Sequence, residues 1–196
     1  MEQNVSRILS FWFDHPDPIT RWFKPSLNLD NEIRTNFGEL VSQARSTTIL
    51  DSWTTEPDSS LALVILLDQF PRNIFRGSPE SYSSDAKALK VATRAIAQGF
   101  DRRVPLLRQQ FLYLPFMHDE TLSSQVAAKA LYESCAQRCG GDDGETRTFI
   151  ENAGKFGQQH LDVILRFGRF PSRNGVLGRK STDEELAFLR EHPMGF

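Results

Sequence analysis

Two copies of one short motif place arginine and asparagine at predicted helix ends. Residues 70–73 read FPRN, and residues 170–174 read FPSRN. An arginine guanidinium carries five donors in a rigid fork, which suits a carboxylate or a phosphate. The two copies therefore indicate either a pair of structural clamps or one anion-binding pocket. The residues that such a pocket would use to bind a substrate are Arg72, Asn73, Arg76, Arg169, Arg173 and Asn174.

Asp68 is a candidate for proton transfer. It follows Leu61 and Ile65 at helical spacing, so it lies on an apolar face of the predicted helix. An unpaired carboxylate on such a face would be costly. One interpretation is a buried ion pair between Asp68 and Arg72 or Arg173. The other is a carboxyl group with a tuned pKa that acts as an acid or a base.

His118 and Glu120 follow a helix predicted from residue 105 to about residue 117. Pro115 lies inside this helix, and its missing amide donor predicts a kink. The charge of a histidine changes near neutral pH, so we predict that His118 moves protons together with Asp68 or Glu120. The alternative is a histidine that caps the carboxyl end of the helix.

His160 lies on an apolar stripe with Phe156, Val163 and Phe167. A histidine in this position is usually a satisfied core residue, and the alternative is a role in substrate binding. Neither HExxH nor a comparable ligand spacing is present, so we predict no metal. The sequence also lacks a glycine-rich phosphate loop, a serine nucleophile elbow and a P-loop lysine, so we predict no organic cofactor.

Helical periodicity extends over nearly the whole chain and predicts an all-α protein of about eight helices. The segment 59–70 is apolar on nearly all sides, which is typical of a fully buried helix. Residues 83–85 predict a capped helix start, residues 181–184 a capping box, and the glycine-rich segment 140–144 a flexible connection. Helices joined by short loops form antiparallel pairs in bundles or stacks. We predict a single helical domain over residues 1–196.

The composition excludes several classes of protein. The formal net charge is −2 and the isoelectric point is about 6.1, so we expect no nucleic acid partner. No run approaches 18 apolar residues, and no secretory signal is recognisable, so we expect no membrane partner. Two cysteines, four residues apart, favour reduced thiols in a cytoplasmic protein. The early aromatic residues 11–13 and 22–23 either seal the core or line a ligand pocket.

These motifs together resemble a known family, the bacterial and fungal domain of unknown function 924. The resemblance covers nearly the whole chain and rests on the segments FWF (11–13), WF (22–23), LDQFPRNIFRG (67–77), LYLPFMH (112–118), RFGRFPSRN (166–174) and LGR (177–179). His118, Glu120 and His160 also look like polar positions of the family. The resemblance implies paired helices similar to tetratricopeptide repeats, and it implies no established reaction.

Two functions follow from these observations. The first is an enzyme without organic cofactor that acts on a small anionic or carbonyl-bearing molecule, by isomerisation, cyclisation, elimination or hydrolysis. In it the arginines and asparagines bind the substrate, and His118 moves protons with Asp68 or Glu120. The second is a helical interaction module that binds a peptide or protein, in which the same polar residues are structural clamps.

Overall fold

The computed structural model describes residues 1–139 and 144–192, which are helical almost throughout. The prediction of an all-α protein is confirmed. The glycine-rich connection predicted over 140–144 lies outside the described residues except for Gly144, where a helix begins. The chain divides into two compact units, Met1–Arg76 with Glu80–Pro115 and Gly77–Pro79 with Phe116–Phe196. The single domain over residues 1–196 stays a prediction.

The first unit contains seven α-helices and one π-helical turn. They are α1 Glu2–Phe13, α2 Pro18–Phe23, α3 Leu27–Ser46, α4 Pro57–Val64, the π turn Ile65–Gln69, α5 Phe70–Ile74, α6 Asp85–Ala97 and α7 Leu106–His118, of which the last three residues belong to the second unit. Ser84 precedes α6 as predicted, but its hydroxyl does not cap the helix. It donates instead to the carbonyl of Leu67 at 2.6 Å, which joins α6 to the π turn.

The segment from α4 through the π turn to α5 forms the centre of the first unit. Every residue from Leu61 to Leu67 has no exposed surface, which confirms the predicted fully buried helix. A π turn is rare, accommodates one extra residue and often marks a functional site. Here it carries Asp68 and Gln69, both buried, at the point where the first motif begins.

Aromatic rings from four helices pack around this central segment. Phe70 contacts Phe11, Trp12 and Phe37 with ring centroids 6.2, 5.4 and 5.1 Å away. Trp22 packs on Phe111 of α7 at 4.7 Å. All of these pairs except the tilted pair of Phe37 and Phe70 are edge-to-face. Such pairs add to the stabilisation that burial of the rings already supplies.

The second unit contains α8 Leu122–Gln137, α9 Gly144–Phe167 and α10 Asp183–Glu191. α8 and α9 pack closely at Gly157, where a Cβ atom would lie 3.6 Å from the ring of Tyr132. Gly168 ends α9 with a φ of +68°, a conformation that glycine adopts without strain. The predicted capping box is real but lies one residue later, between Thr182 and Glu185.

Among the described residues, no helix is both long enough and apolar enough to cross a bilayer.

Candidate functional site

The first motif copy holds Arg72 between two carboxylates. Its guanidinium donates to both oxygens of Asp85 at 3.0 Å, and its Nη1 lies 3.4 Å from Asp68 Oδ1. Asp68 has no exposed surface and also accepts a hydrogen bond from the side chain of Gln69. The predicted ion pair of Asp68 therefore exists with Arg72.

Asn73 and Arg76 both bind a carboxylate that the motif itself does not contain. Arg76 donates to the two oxygens of Asp30 at 3.0 and 2.9 Å, and Asn73 donates to one of them at 2.8 Å. Asp30 belongs to α3 and is 4% exposed. Burial opposes ionisation of Asp30, but the bonds from Arg76 and Asn73 outweigh it and lower the pKa of this carboxyl.

In the second motif copy, Arg169 and Asn174 share one carboxylate. Arg169 donates to both oxygens of Glu185 at 2.7 and 2.9 Å, and the Asn174 amide lies 3.3 Å from one of them. The hydrogen bonds from Arg169, with those from the Thr182 amide and Asn174, lower the pKa of Glu185 to about 2. Glu185 is 2% exposed, so this clamp is internal to the second unit.

The Glu120 carboxylate accepts hydrogen bonds from one side chain and one backbone amide. Arg179 donates to both of its oxygens at 2.6 and 3.0 Å, and the backbone amide of Phe170 donates to one at 2.8 Å. Burial alone would raise the pKa of Glu120, but these donors and the nearby charge of Arg173 lower it. An ionised, clamped carboxylate is a poor proton donor, which favours a structural role for Glu120.

His160 and Arg173 contact the same aromatic ring, and we call this group, with Phe170, the histidine–arginine corner. The His160 ring meets the fully buried ring of Phe170 edge-on at 5.3 Å, and the Arg173 guanidinium lies 4.5 Å from the ring centroid. Arg173 is 8% exposed and His160 is half-buried. Burial lowers the pKa of His160, and Arg173 lowers it further, against the opposing hydrogen bond of the Phe156 carbonyl.

The protonation of the His160 ring follows from this carbonyl. Nδ1 lies 2.8 Å from the Phe156 oxygen, and a carbonyl oxygen can only accept. We therefore assign the proton of the neutral ring to Nδ1 and the lone pair to Nε2. The neutral His160 ring and the buried guanidinium of Arg173 both contact Phe170.

His118 is the last residue of α7 and is half-buried. The side-chain Nε2 of Gln125 donates to the Met117 carbonyl at the end of α7, at 2.9 Å, and to the carbonyl of Asp119 just beyond it, at 2.6 Å. The part of α7 around Pro115 is still helical. Proton transfer by His118 and the kink at Pro115 stay predictions.

The structure brings Glu120, His160 and Arg173 together around Phe170, all within the second unit. Asp68 and the first motif copy belong to the first unit, and convergence of the two copies stays a prediction. Sequence reasoning missed the partner residues Asp30, Asp85, Gln125 and Glu185. Glu185 had a detectable signal, since it stands three residues after a possible cap at Thr182.

Over residues 1–139 and 144–192, no group of three histidine, cysteine or acidic side chains is placed to hold a metal ion. The predicted absence of a metal stays a prediction.

Comparison with known proteins shows what the chain is similar to. Residues 8–193 match the family described as "Bacterial protein of unknown function (DUF924)". The protein of unknown function ATU0120 from Agrobacterium tumefaciens shares 36% of its sequence with this chain, and its solved structure superposes with a TM-score of 0.82. The match covers 97% of this chain and 98% of that protein. No curated protein matches the chain.

Proposed function

This chain belongs to the DUF924 family of bacterial proteins of unknown function, and we propose that it is a small-molecule enzyme that works without an organic cofactor. It transfers protons on an anionic or carbonyl-bearing substrate at the histidine–arginine corner. The reaction is an isomerisation, cyclisation, elimination or hydrolysis, because these need acid–base catalysis and charge stabilisation only.

The observation that carries this proposal is the pairing of a neutral histidine with a buried cation on one ring. His160 and Arg173 both contact Phe170, and the pKa of His160 is lowered. A neutral imidazole is ready to accept a proton at pH 7. Arg173 supplies the positive charge that stabilises a carboxylate or the oxyanion that develops on a carbonyl.

Three other arginines of the motifs are already paired with carboxylates of the protein. Arg72, Arg76 and Arg169 each donate to both oxygens of a carboxylate, at Asp85, Asp30 and Glu185 respectively. Such bidentate pairs occupy the fork that would otherwise bind a substrate. These three residues are therefore clamps that hold the helix ends. Arg173 is the proposed substrate-binding arginine because its guanidinium lies over the Phe170 ring that His160 also contacts.

A thermal-shift screen with small carboxylates, inorganic phosphate and small ketones tests the proposal. A ligand that binds only the native state stabilises it by about 2.7 kcal/mol at a hundredfold excess over Kd. We expect saturable hits that disappear in Arg173→Gln and weaken in His160→Gln.

Two matched variants control for general damage to the second unit. Arg166→Gln removes an arginine that also stands over a phenylalanine ring, at 4.8 Å from Phe167. His192→Gln removes a histidine whose Nδ1 also contacts the carbonyl four residues earlier, at 3.1 Å. Both variants should retain the hits. Equal loss in the controls, or no hit with any compound, contradicts the proposal.

The second candidate function is a helical interaction module, and the paired arginines favour it. In this function the polar motif residues act only as clamps. A stack of paired helices similar to tetratricopeptide repeats, which stays a prediction, would supply the binding surface. If a protein partner is recovered in stoichiometric amount and no compound of the thermal-shift screen stabilises the protein, the interaction module is favoured over the enzyme.

We also propose a cytoplasmic location. Cys135 and Cys139 are buried and form no disulfide, which suits a reducing compartment. Cell fractionation with an antibody against the chain tests the location.

A further inference from the structure

A cleft lies between α9 and α10, and all of its lining residues belong to the second unit. They are Gln159, Asp162, Val163, Arg166, Phe188 and His192. The cleft has a volume of about 230 Å³. Because water occupies about 30 Å³ per molecule in the liquid, this volume holds roughly seven waters or one small metabolite. Three of the lining side chains are exposed, so the cleft is open to solvent: Gln159, Asp162 and Arg166.

The floor of the cleft is apolar and buried. Val163 of α9 is 4% exposed, and Phe188 of α10 is 8% exposed. The His192 ring stacks on Phe188, with ring centroids 4.3 Å apart and an angle of 21° between the ring planes. A molecule that enters from solvent therefore meets apolar surface beneath it and polar side chains around it, which is the usual composition of a small-molecule site.

Asp162 and Arg166 have opposite charges and stand one helical turn apart on α9, where such residues commonly pair. In the described part of the chain they form no ion pair with each other. The Nε of Arg166 donates instead to Glu184 of α10 at 2.8 Å, and its guanidinium lies 5.7 Å from the centroid of the Phe188 ring. Asp162 accepts a hydrogen bond from the neutral amide of Gln158 at 2.8 Å. Two opposite charges thus line one cleft without neutralising each other.

Both charged groups keep hydrogen-bonding capacity that the described residues do not use. The terminal nitrogens Nη1 and Nη2 of Arg166 donate to none of these residues, and Asp162 Oδ2 accepts from none of them. A guanidinium whose Nε is occupied still binds a carboxylate through its two terminal nitrogens. A simple anion is disfavoured here, because the carboxylates of Asp162 and Glu184 both stand near the single cation.

We infer that this cleft binds a zwitterionic α-amino acid with an apolar side chain. The carboxylate of the ligand binds the terminal nitrogens of Arg166, its ammonium group binds Asp162, and its side chain covers Val163 and Phe188. This inference does not depend on the proposed function of the histidine–arginine corner. The compounds of the thermal-shift screen carry no ammonium group, so Arg166→Gln and His192→Gln remain valid controls there.

Isothermal titration calorimetry of the full chain tests the inference with three probes that share one apolar side chain. L-leucine carries both charges, 4-methylpentanoate lacks the ammonium group, and 3-methylbutylamine lacks the carboxylate. We expect saturable binding of leucine. Each of the other two probes should bind about tenfold more weakly or worse, because each has lost one charge-assisted interaction.

Two variants each remove the partner of one charged group. Arg166→Gln should weaken the binding of leucine to the level of 3-methylbutylamine without weakening the amine. Asp162→Asn should weaken the binding of leucine to the level of 4-methylpentanoate without weakening that acid. Arg147→Gln is the matched control, since Arg147 is also an exposed arginine of α9 that pairs with a carboxylate, that of Glu151 at 2.9 Å. It should leave the binding of leucine unchanged.

Three results overturn the inference. They are equal affinities of the three probes, no saturable binding of leucine, and a leucine affinity that neither Arg166→Gln nor Asp162→Asn changes. The last result would place the bound leucine outside the cleft. If a cleft variant does not fold, the comparison of the three probes on the unaltered protein still decides.

Discussion

Arg179 donates to both carboxylate oxygens of Glu120, a residue 59 positions earlier in the chain, at 2.6 and 3.0 Å. The same guanidinium donates to the Phe170 carbonyl at 3.0 Å, and Glu120 accepts from the Phe170 amide at 2.8 Å. Both polar groups of the Phe170 backbone are thus bound by one ion pair. Since the Phe170 ring supports His160 and Arg173, this pair positions the histidine–arginine corner.

Glu120→Gln should lower the free energy of unfolding by about 1–3 kcal/mol, because it leaves the half-buried Arg179 without its charged partner. Urea denaturation followed by circular dichroism measures the change. Glu133→Gln is the control, since Glu133 pairs with Lys129 on an exposed face and such pairs contribute less than about 1 kcal/mol. Equal effects of the two substitutions would contradict a clamping role for Glu120.

The Glu185 clamp predicts a loss of stability in acid. Hydrogen bonds, first of all from Arg169, lower the folded-state pKa of Glu185 from 4.5 to about 2. The unfolded chain therefore binds the proton more readily, so this stabilisation is present above pH 4.5 and is lost as the pH falls towards 2. Chemical denaturation at several pH values should show a decline over this interval, and Glu185→Gln should flatten it. An unchanged slope in Glu185→Gln would assign the acid sensitivity to other carboxylates.

The sequence predicted where the polar clamps lie but not what they bind. The two motif copies lie beside helix ends, and Arg72, Arg76 and Arg169 form ion pairs there. Their partners could not be foreseen, because Asp30 is 46 residues from Arg76 and no local rule joins them. Asp68 was the exception, since Arg72 stands one helical turn away.

The π turn and the capping box show a second limit of sequence patterns. The apolar run of residues 61–67 predicted a buried helix correctly, but hydrophobic periodicity does not reveal one extra residue in a turn that is apolar all round. The capping box lies one residue from its predicted place because both Ser181 and Thr182 are acceptable caps. The position of the helix and its burial were therefore predictable, whereas the π turn and the register of the capping box were not.

Asp68→Asn should destabilise the first unit more than Asp85→Asn. Asp68 is wholly buried and Asp85 is partly exposed, although both contact Arg72. Breaking a buried ion pair costs about 3–5 kcal/mol, and a more exposed pair costs less. Thermal and urea unfolding of the two variants provide the comparison. A larger effect of Asp85→Asn would show that the π turn tolerates a neutral side chain.

Protein purified without chelator should contain no stoichiometric zinc, iron or manganese. The four candidate ligands Asp68, His118, Glu120 and His160 have no metal-ligand spacing, and both Asp68 and Glu120 already bind arginine. Elemental analysis by mass spectrometry decides the question. One metal ion per chain would overturn the prediction and make the two histidines ligands.

The last prediction concerns the protonation of His160. Burial, assisted by the charge of Arg173, lowers its pKa below the ordinary value of 6.5. The folded state therefore binds fewer protons than the unfolded chain as the pH falls through 6.5, so His160 should make the protein less stable in mild acid. Imidazole resonances titrated by NMR should place the midpoint of His160 below 6.5. In Arg173→Gln the midpoint should rise, because one nearby positive charge is removed. A His160 midpoint that Arg173→Gln does not change would separate the two residues and remove the basis of the proposed proton transfer.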